Sequence, residues 1–339
     1  MSTPLSDSKK RPASSSSAAL YDDQLGFPER SQIGQRGFAM SERQLRSRTA
    51  SRAIDKAKCT IQVALRIRPF AENESWENGL VVRENRVHVK SGNKEFSFEL
   101  SHIFDSASTQ QEVYEALAKP LLTHALSGIN VCFFAYGQTG SGKTHSIVGN
   151  REDPGVLQRF CEDFMDAVAE VQLEERTLTA SFYEIYQEKA YDLLGDVRKP
   201  LRIRGGEQVY LKELTEATVT SFAEFEKLRQ RAWTKRATAS TALNRQSSRS
   251  HAIVRLIYQR SVNEKMGAVT RSFAITSQIH FVDLAGSERV VQSGRPHMEE
   301  TIAINVSLLA LHRVISSAVE GMPCGFRDSI LTRLLKECF

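Results

Sequence analysis

An unbroken apolar run, Val131-Cys132-Phe133-Phe134-Ala135-Tyr136, opens directly onto Gly137-Gln138-Thr139-Gly140-Ser141-Gly142-Lys143-Thr144. Such a run suits a strand buried on both faces of a sheet. The segment after it fits G-x-x-x-x-G-K-[ST] at every specified position. Its glycines let the backbone curl so that several N–H groups point at one phosphate chain. Lys143 would neutralise the β- and γ-phosphates, and the Thr144 hydroxyl would hold Mg2+. The residues that follow can start a helix, which would put a helix N-terminus at the phosphates. A strand, this loop and then a helix commit the chain to an α/β nucleotide-binding architecture.

The rest of the pattern agrees. Residues 60–68 alternate apolar and small or polar side chains, the period of a strand, and Pro69 stops it. Short strand-like pieces follow near Val87 and Phe96. Val113, Leu117, Leu121 and Leu122 then mark one helix face, entered through Gln110 to Glu112. Further along, the spacing predicts helices over 155–171 and 300–319 and strands over 178–186, 251–260 and 271–283. Strands and helices intermix throughout, so the expected fold is a central mixed, mostly parallel β-sheet flanked by helices on both faces.

Charge separates the first part of the chain from the rest. The protein carries a net +5, and residues 1–58 alone hold eleven Lys or Arg against six Asp or Glu. With Ser14-Ser15-Ser16-Ser17 and few branched apolar residues, 1–58 is expected to be a disordered basic extension, with order beginning at Cys59. A basic arm on a near-neutral domain suits an acidic polymer, or no partner at all. Lys9-Lys10-Arg11-Pro12 has the form of a nuclear import signal, a pattern common by chance. The five cysteines form no C-x-x-C pair, which argues against a zinc site or a secreted disulfide framework and for a reducing, intracellular compartment. No secretory signal is evident and no later apolar run approaches bilayer length, so no membrane insertion is expected.

Two more segments narrow the chemistry. Asn244-Arg245-Gln246-Ser247-Ser248-Arg249-Ser250-His251 is a polar run just before a strand. Asp283-Leu284-Ala285-Gly286-Ser287-Glu288 closes the apolar strand Ile279-His280-Phe281-Val282. An acid at the end of a buried strand is where a nucleotide site places its outer Mg2+ partner. In order and content, these segments and the loop at 137–144 resemble the phosphate loop, switch I and switch II of the kinesin motor family. Arg66-Ile67-Arg68-Pro69 is similar to the family's adenine-side motif. Phe182-Tyr183-Glu184-Ile185-Tyr186, Tyr191-Asp192-Leu193-Leu194, Arg327-Asp328-Ser329 and Leu331-Thr332-Arg333-Leu334-Leu335 also match, so the resemblance covers about 59–339.

The resemblance implies a microtubule-dependent motor that hydrolyses ATP with Mg2+, with microtubules as partner and cytoplasm and cytoskeleton as location. Arg66, Arg68 and Pro69 would flank the adenine, with His145 on its other side. Gly137, Gln138, Thr139, Gly140, Ser141, Gly142, Lys143 and Thr144 would cradle the phosphates. Ser247 and Ser248 would close over the γ-phosphate, with Thr144, Ser248 and Asp283 serving the metal. Gly286 would offer its N–H to the γ-phosphate, and Arg249 and Glu288 would form an ion pair between the switches.

The chain also departs from the family. Val306, Ile330 and Gly325-Phe326 stand where the family carries Lys, Lys and Pro-Tyr, and Glu299-Glu300 replace small residues. Track binding that is weaker, or is rescued by the basic extension, is therefore expected, since exposed charges each contribute up to about 1 kcal/mol. The resemblance also implies a last core strand and helix beyond Phe339, so residues 59–339 alone are expected to be marginally stable. Three other readings compete. A GTPase lacks its N-K-x-D motif here, and a nucleic-acid binder lacks any recognisable module. A non-motile, nucleotide-dependent microtubule-binding protein is the stronger alternative.

Overall fold

Alternation along the strands sorts their side chains to two faces, and helices cover both. The computed structural model describes residues 61–70, 79–170, 176–206, 208–242, 246–266, 269–288 and 295–339, all within one unit, Ser51–Phe339. The expected extension 1–58, Asn244 and Arg245, and the side chains of Ser247, Glu299 and Glu300 lie outside the described residues.

The described residues begin with β1 (Ala64–Arg66), β2 (Leu80–Arg83), β3 (Arg86–Ser91), β4 (Lys94–Glu99) and β5 (His102–Phe104). Next come α1 (Gln110–Val113), a π-turn (Tyr114–Ala118), α2 (Leu121–Leu126), β6 (Val131–Ala135), α3 (Lys143–Ile147) and α4 (Val156–Glu170). Strands β7 (Arg176–Tyr186), β8 (Lys189–Asp192), β9 (Pro200–Arg204), β10 (Tyr210–Lys212) and β11 (Ala217–Thr218) lead to α5 (Phe222–Ala242). The long strands β12 (His251–Met266) and β13 (Val269–Asp283) precede α6 (Arg295–Glu320) and α7 (Ile330–Leu334).

Among the described residues the main sheet has eight strands in the order β10-β9-β8-β7-β12-β13-β6, with β11 beside β7. It is mixed, as expected, but the expected excess of parallel pairs is not found. Within it only β13–β6 is parallel among the described residues, and a second parallel pair, β1–β5, lies outside it. The reason is connectivity. β12 and β13 form one long antiparallel hairpin, and β7 to β10 form a meander, so neighbours in sequence become antiparallel neighbours in space.

Ala180, Phe182, Val254, Leu256, Tyr258, Ile279 and Phe281 face one core, shared with Phe160 and Phe164 of α4 and Phe225 and Ala232 of α5. Tyr183, Ile185, Ile253 and Val282 face the other, shared with Ile304, Leu308 and Leu311 of α6 and Leu331 and Leu334 of α7. Each face thus uses every second residue, which is why a slip of one position in any strand would turn it inside out.

Three local expectations are revised. The first strand is shorter than its alternation, although Ile67 N–H donates to Phe104 O at 2.8 Å and extends the β1–β5 contact by one bond. The helix predicted across 110–122 is broken. Pro120 has no N–H to donate, and Lys119 N–H reaches back five residues to Tyr114 O at 2.9 Å, leaving the π-turn between α1 and α2. Finally, Ile302–Glu320 is long and apolar enough to cross a bilayer, contrary to the sequence reading. That stretch is the α6 helix, whose Ile304, Leu308 and Leu311 stripe is already buried against the sheet.

Candidate nucleotide site

The end of β6, the end of β13 and the segment before β12 converge because β6 and β13 are parallel neighbours, with Asp283 in register with Ala135. The loop leaving β6 therefore sits beside the loop leaving β13, as ligand sites in α/β sheets do. Gly142 caps α3 at φ 95°, a conformation open chiefly to glycine. Lys143 folds back over the loop, its Nζ donating to Gly137 O at 2.8 Å and Gln138 O at 2.9 Å. Burial lowers the affinity of Lys143 for its proton, while the nearby Asp283 and Glu288 oppose that shift.

Thr144 Oγ1 donates to Asp283 Oδ2 at 2.7 Å. The same oxygen accepts from Arg236 on α5 at 3.1 Å, an ion pair whose two side chains are only 5% and 4% exposed. Arg236 also donates to Ser250 O at 3.2 Å, tying α5 to the start of β12. Asp283 Oδ1 is buried without a hydrogen-bond partner. An orphaned carboxylate oxygen beside a threonine hydroxyl suits a hydrated divalent cation, so these residues fit Mg2+.

The turn after Asp283 is held to both neighbouring loops. Gly286 N–H donates to Ser248 O at 2.9 Å, and Ser287 N–H to Gly137 O at 3.2 Å. The N–H expected to meet a γ-phosphate is therefore engaged by the segment before β12 in this conformation. Glu288, expected to face Arg249, has its carboxylate turned to the 137–144 loop, accepting from Thr139 N–H at 2.9 Å and Thr139 Oγ1 at 2.5 Å. Burial pushes the Glu288 carboxyl up, but the bonds from Thr139, its own backbone N–H and the Lys143 charge outweigh it and hold the carboxyl below the ordinary range. A Cβ on Gly286 would collide with the Glu288 carboxylate and the Thr139 hydroxyl as they lie here, so a side chain at this position would have to displace them.

Beside the loop lies a cavity of about 510 Å3 lined by Arg66, Arg68, Pro69, Ser141, Gly142 and His145, among others. The residues expected around an adenine thus line one cavity. Arg66 itself is a brace, donating to Gln110 Oε1 at 2.6 Å and Ser146 Oγ at 3.0 Å. Burial lowers its proton affinity and Asp153 opposes this. Arg68 lies at the rim, with its guanidinium on Pro69 O at 2.9 Å.

Sequence reading missed Arg236, Gln110 and the polar bridge at His251. A signal for Arg236 was present: Phe225, Ala232 and Arg236 fall on one buried stripe of α5, and a charge on such a stripe needs a partner. Gln110 carried no signal, reading only as a helix entry. His251 Nδ1 accepts from Ala285 N–H at 3.0 Å, and its Nε2 lies 2.8 Å from Ser307 Oγ.

Comparison with known proteins follows the same lines. The family model for the kinesin motor domain matches residues 46–339. Kinesin-like protein KIF14 of Mus musculus is 37% identical over 306 residues, covering 82% of this chain and 18% of that protein. Kinesin-like protein KIF22 of Mus musculus is 36% identical over 293 residues, covering 82% of this chain and 44% of that protein. The chain therefore spans less than half the length of these curated relatives. Among solved structures, a KIF14 dimer with AMP-PNP on a microtubule gives a TM-score of 0.73 at 37% identity, covering 82% of this chain and 84% of that one. A fast kinesin gives 0.71 at 31% identity, covering 82% and 81%.

Proposed function

The chain belongs to the kinesin motor-domain family, and on that premise we propose that it is a microtubule-dependent ATPase that couples the phosphate state of its nucleotide to track binding. The observation that carries this reading is the meeting of Lys143 and Thr144 with Asp283 and the Gly286 turn, brought together from loops 139 residues apart. Relatives solved on microtubules support the choice of track. The same kinship supports a cytoplasmic, cytoskeletal location.

The chain's residues would divide the work. The 137–144 backbone and Lys143 bind the triphosphate, Lys143 exchanging its two loop carbonyls for phosphate oxygens. Thr144, Ser248 and Asp283 would hold Mg2+, which when bound supplies charge neutralisation at the β- and γ-phosphates. Gly286 N–H would trade Ser248 O for a γ-phosphate oxygen, and Glu288 would leave Thr139 for Arg249. Both exchanges move the turn between β13 and α6, so the presence of one phosphate changes the shape of the protein. Arg66, Arg68, Pro69 and His145 would frame the base in the adjacent cavity.

One observation favours the non-motile alternative. Val306, which replaces a basic residue of the family, is 45% exposed on α6. Steady-state MgATP hydrolysis with and without microtubules, with Lys143→Ala as the blank, separates the readings. Microtubule stimulation lost in the variant supports the motor ATPase. Equal turnover with and without microtubules would leave the non-motile reading.

A further inference from the structure

His251 is the point where the nucleotide-side turn touches the long helix α6 through buried polar atoms. It is 3% exposed, and Ser307 is 1% exposed. A backbone N–H can only donate, so the bond from Ala285 N–H makes His251 Nδ1 an acceptor. The ring proton then belongs on Nε2, which donates to Ser307 Oγ, while the Ser307 hydroxyl donates to Ile304 O at 2.7 Å. Every hydrogen in this chain has one place to go. Burial, reinforced by the charges of Arg236 and Lys143, keeps the imidazole neutral, as this arrangement requires.

The bridge is placed to transmit motion. Ala285 immediately precedes Gly286, whose N–H is bonded to Ser248 O, and Ser248 lies three residues before His251. A displacement of the turn must either break the Ala285–His251 bond or drag the imidazole and, through Ser307, α6. Either course disturbs a buried polar group, which makes the response discrete rather than gradual.

We propose that His251 is a positioning residue that carries the state of the Ala285–Gly286 turn to helix α6 by gripping each with one ring nitrogen. The proposal rests on the motor-ATPase reading for its consequence, but the grip itself is testable without a track. His251→Asn keeps an acceptor near Nδ1 and cannot reach Ser307. His251→Gln presents an amide N–H near Nε2, and Ser307→Ala removes the acceptor on α6.

The first measurement is hydrogen exchange across residues 302–315 of the full chain, with Mg2+ plus a non-hydrolysable ATP analogue against Mg2+ plus ADP. Wild type should show a nucleotide-dependent difference in protection, and His251→Gln, which keeps the Ser307 end of the grip but not the Ala285 end, should lose it. His251→Asn and Ser307→Ala should lose it to the same degree, and the double variant should be no worse than either single one. In microtubule pelleting, the ratio of affinities in the two nucleotide states should fall about fivefold or more in the same variants. Nucleotide affinity without microtubules stays at the wild-type level, which a general loss of folding would not allow. An unchanged exchange difference in His251→Asn or Ser307→Ala, additive losses in the double variant, or no difference in wild type overturns the proposal. A wild type that shows the exchange difference but no nucleotide-dependent track binding overturns the motor reading and leaves the grip standing.

Discussion

Thr144 Oγ1 donates to Asp283 Oδ2 at 2.7 Å, while Asp283 Oδ1 lies buried with no partner. One carboxylate thus spends one oxygen on the protein and holds the other in reserve, the arrangement expected of an outer partner to a hydrated cation. Asp283→Asn should therefore lower Mg2+ affinity by about 10–100-fold, and it should also cost stability because the buried Arg236 charge loses its countercharge. Nucleotide release measured across a Mg2+ titration is the check; an unshifted midpoint would remove Asp283 from the metal's surroundings.

Arg236 is the buried countercharge to Asp283. Removing one partner of such a pair strands the other, so Arg236→Ala should cost about 3–5 kcal/mol. Urea unfolding reads this directly. Arg236→Lys keeps the charge without the planar fork and should fall between the two.

Gly286→Ala should separate binding from turnover. The added methyl meets the Glu288 carboxylate and the Thr139 hydroxyl, so the Glu288–Thr139 contact must give way. Nucleotide affinity, set largely by the 137–144 loop, is expected to persist, with hydrolysis reduced by about 100-fold or more. Single-turnover kinetics with a parallel binding titration distinguishes the two effects.

His251 makes stability depend on pH with a definite sign. Its proton affinity falls from the ordinary 6.5 to about 3, because burial, then Arg236 and Lys143, oppose the charge. Below pH 6.5 the unfolded chain binds a proton at this site that the folded chain refuses. Stability should therefore drop by about 1.4 kcal/mol per pH unit toward pH 3. Other groups titrate in the same range, so the quantity to measure is the difference in slope between wild type and His251→Gln in urea unfolding from pH 7 to 4.5. The variant should be flatter.

Val306 tests the track-facing departure from the family. Restoring charge with Val306→Lys at this exposed site should tighten microtubule binding by no more than about 1 kcal/mol at low salt, fading as screening increases. Pelleting across an ionic-strength series measures it, and no gain at low salt would count against α6 facing an acidic track. Ile330 is a different case: it is half-buried against the α6–α7 core, and its N–H is held by Glu188 Oε2 at 2.7 Å.

Local pattern alone determined a good deal of this protein. The apolar run at 131–136 and the glycines after it announced β6 and its loop, alternation placed β7, β12 and β13, and the stripe at 304, 308, 311 and 315 placed α6. These are properties of neighbouring residues, and periodicity reports them. The family followed from three short segments whose spacing along the chain is their signature. What only the tertiary structure decided is which distant polar groups meet. Arg236 and Asp283 are 47 residues apart, and His251 and Ser307 are 56. Neither separation leaves a periodic trace, because each pairing depends on the order of strands in the sheet and the face on which α5 or α6 lands. The same holds for the excess of antiparallel neighbours and for the turn of Glu288 toward Thr139. Sequence supplied the chemical groups; the packing of β6 against β13 chose their partners, since a buried charge or N–H must be satisfied by whatever the fold brings within reach.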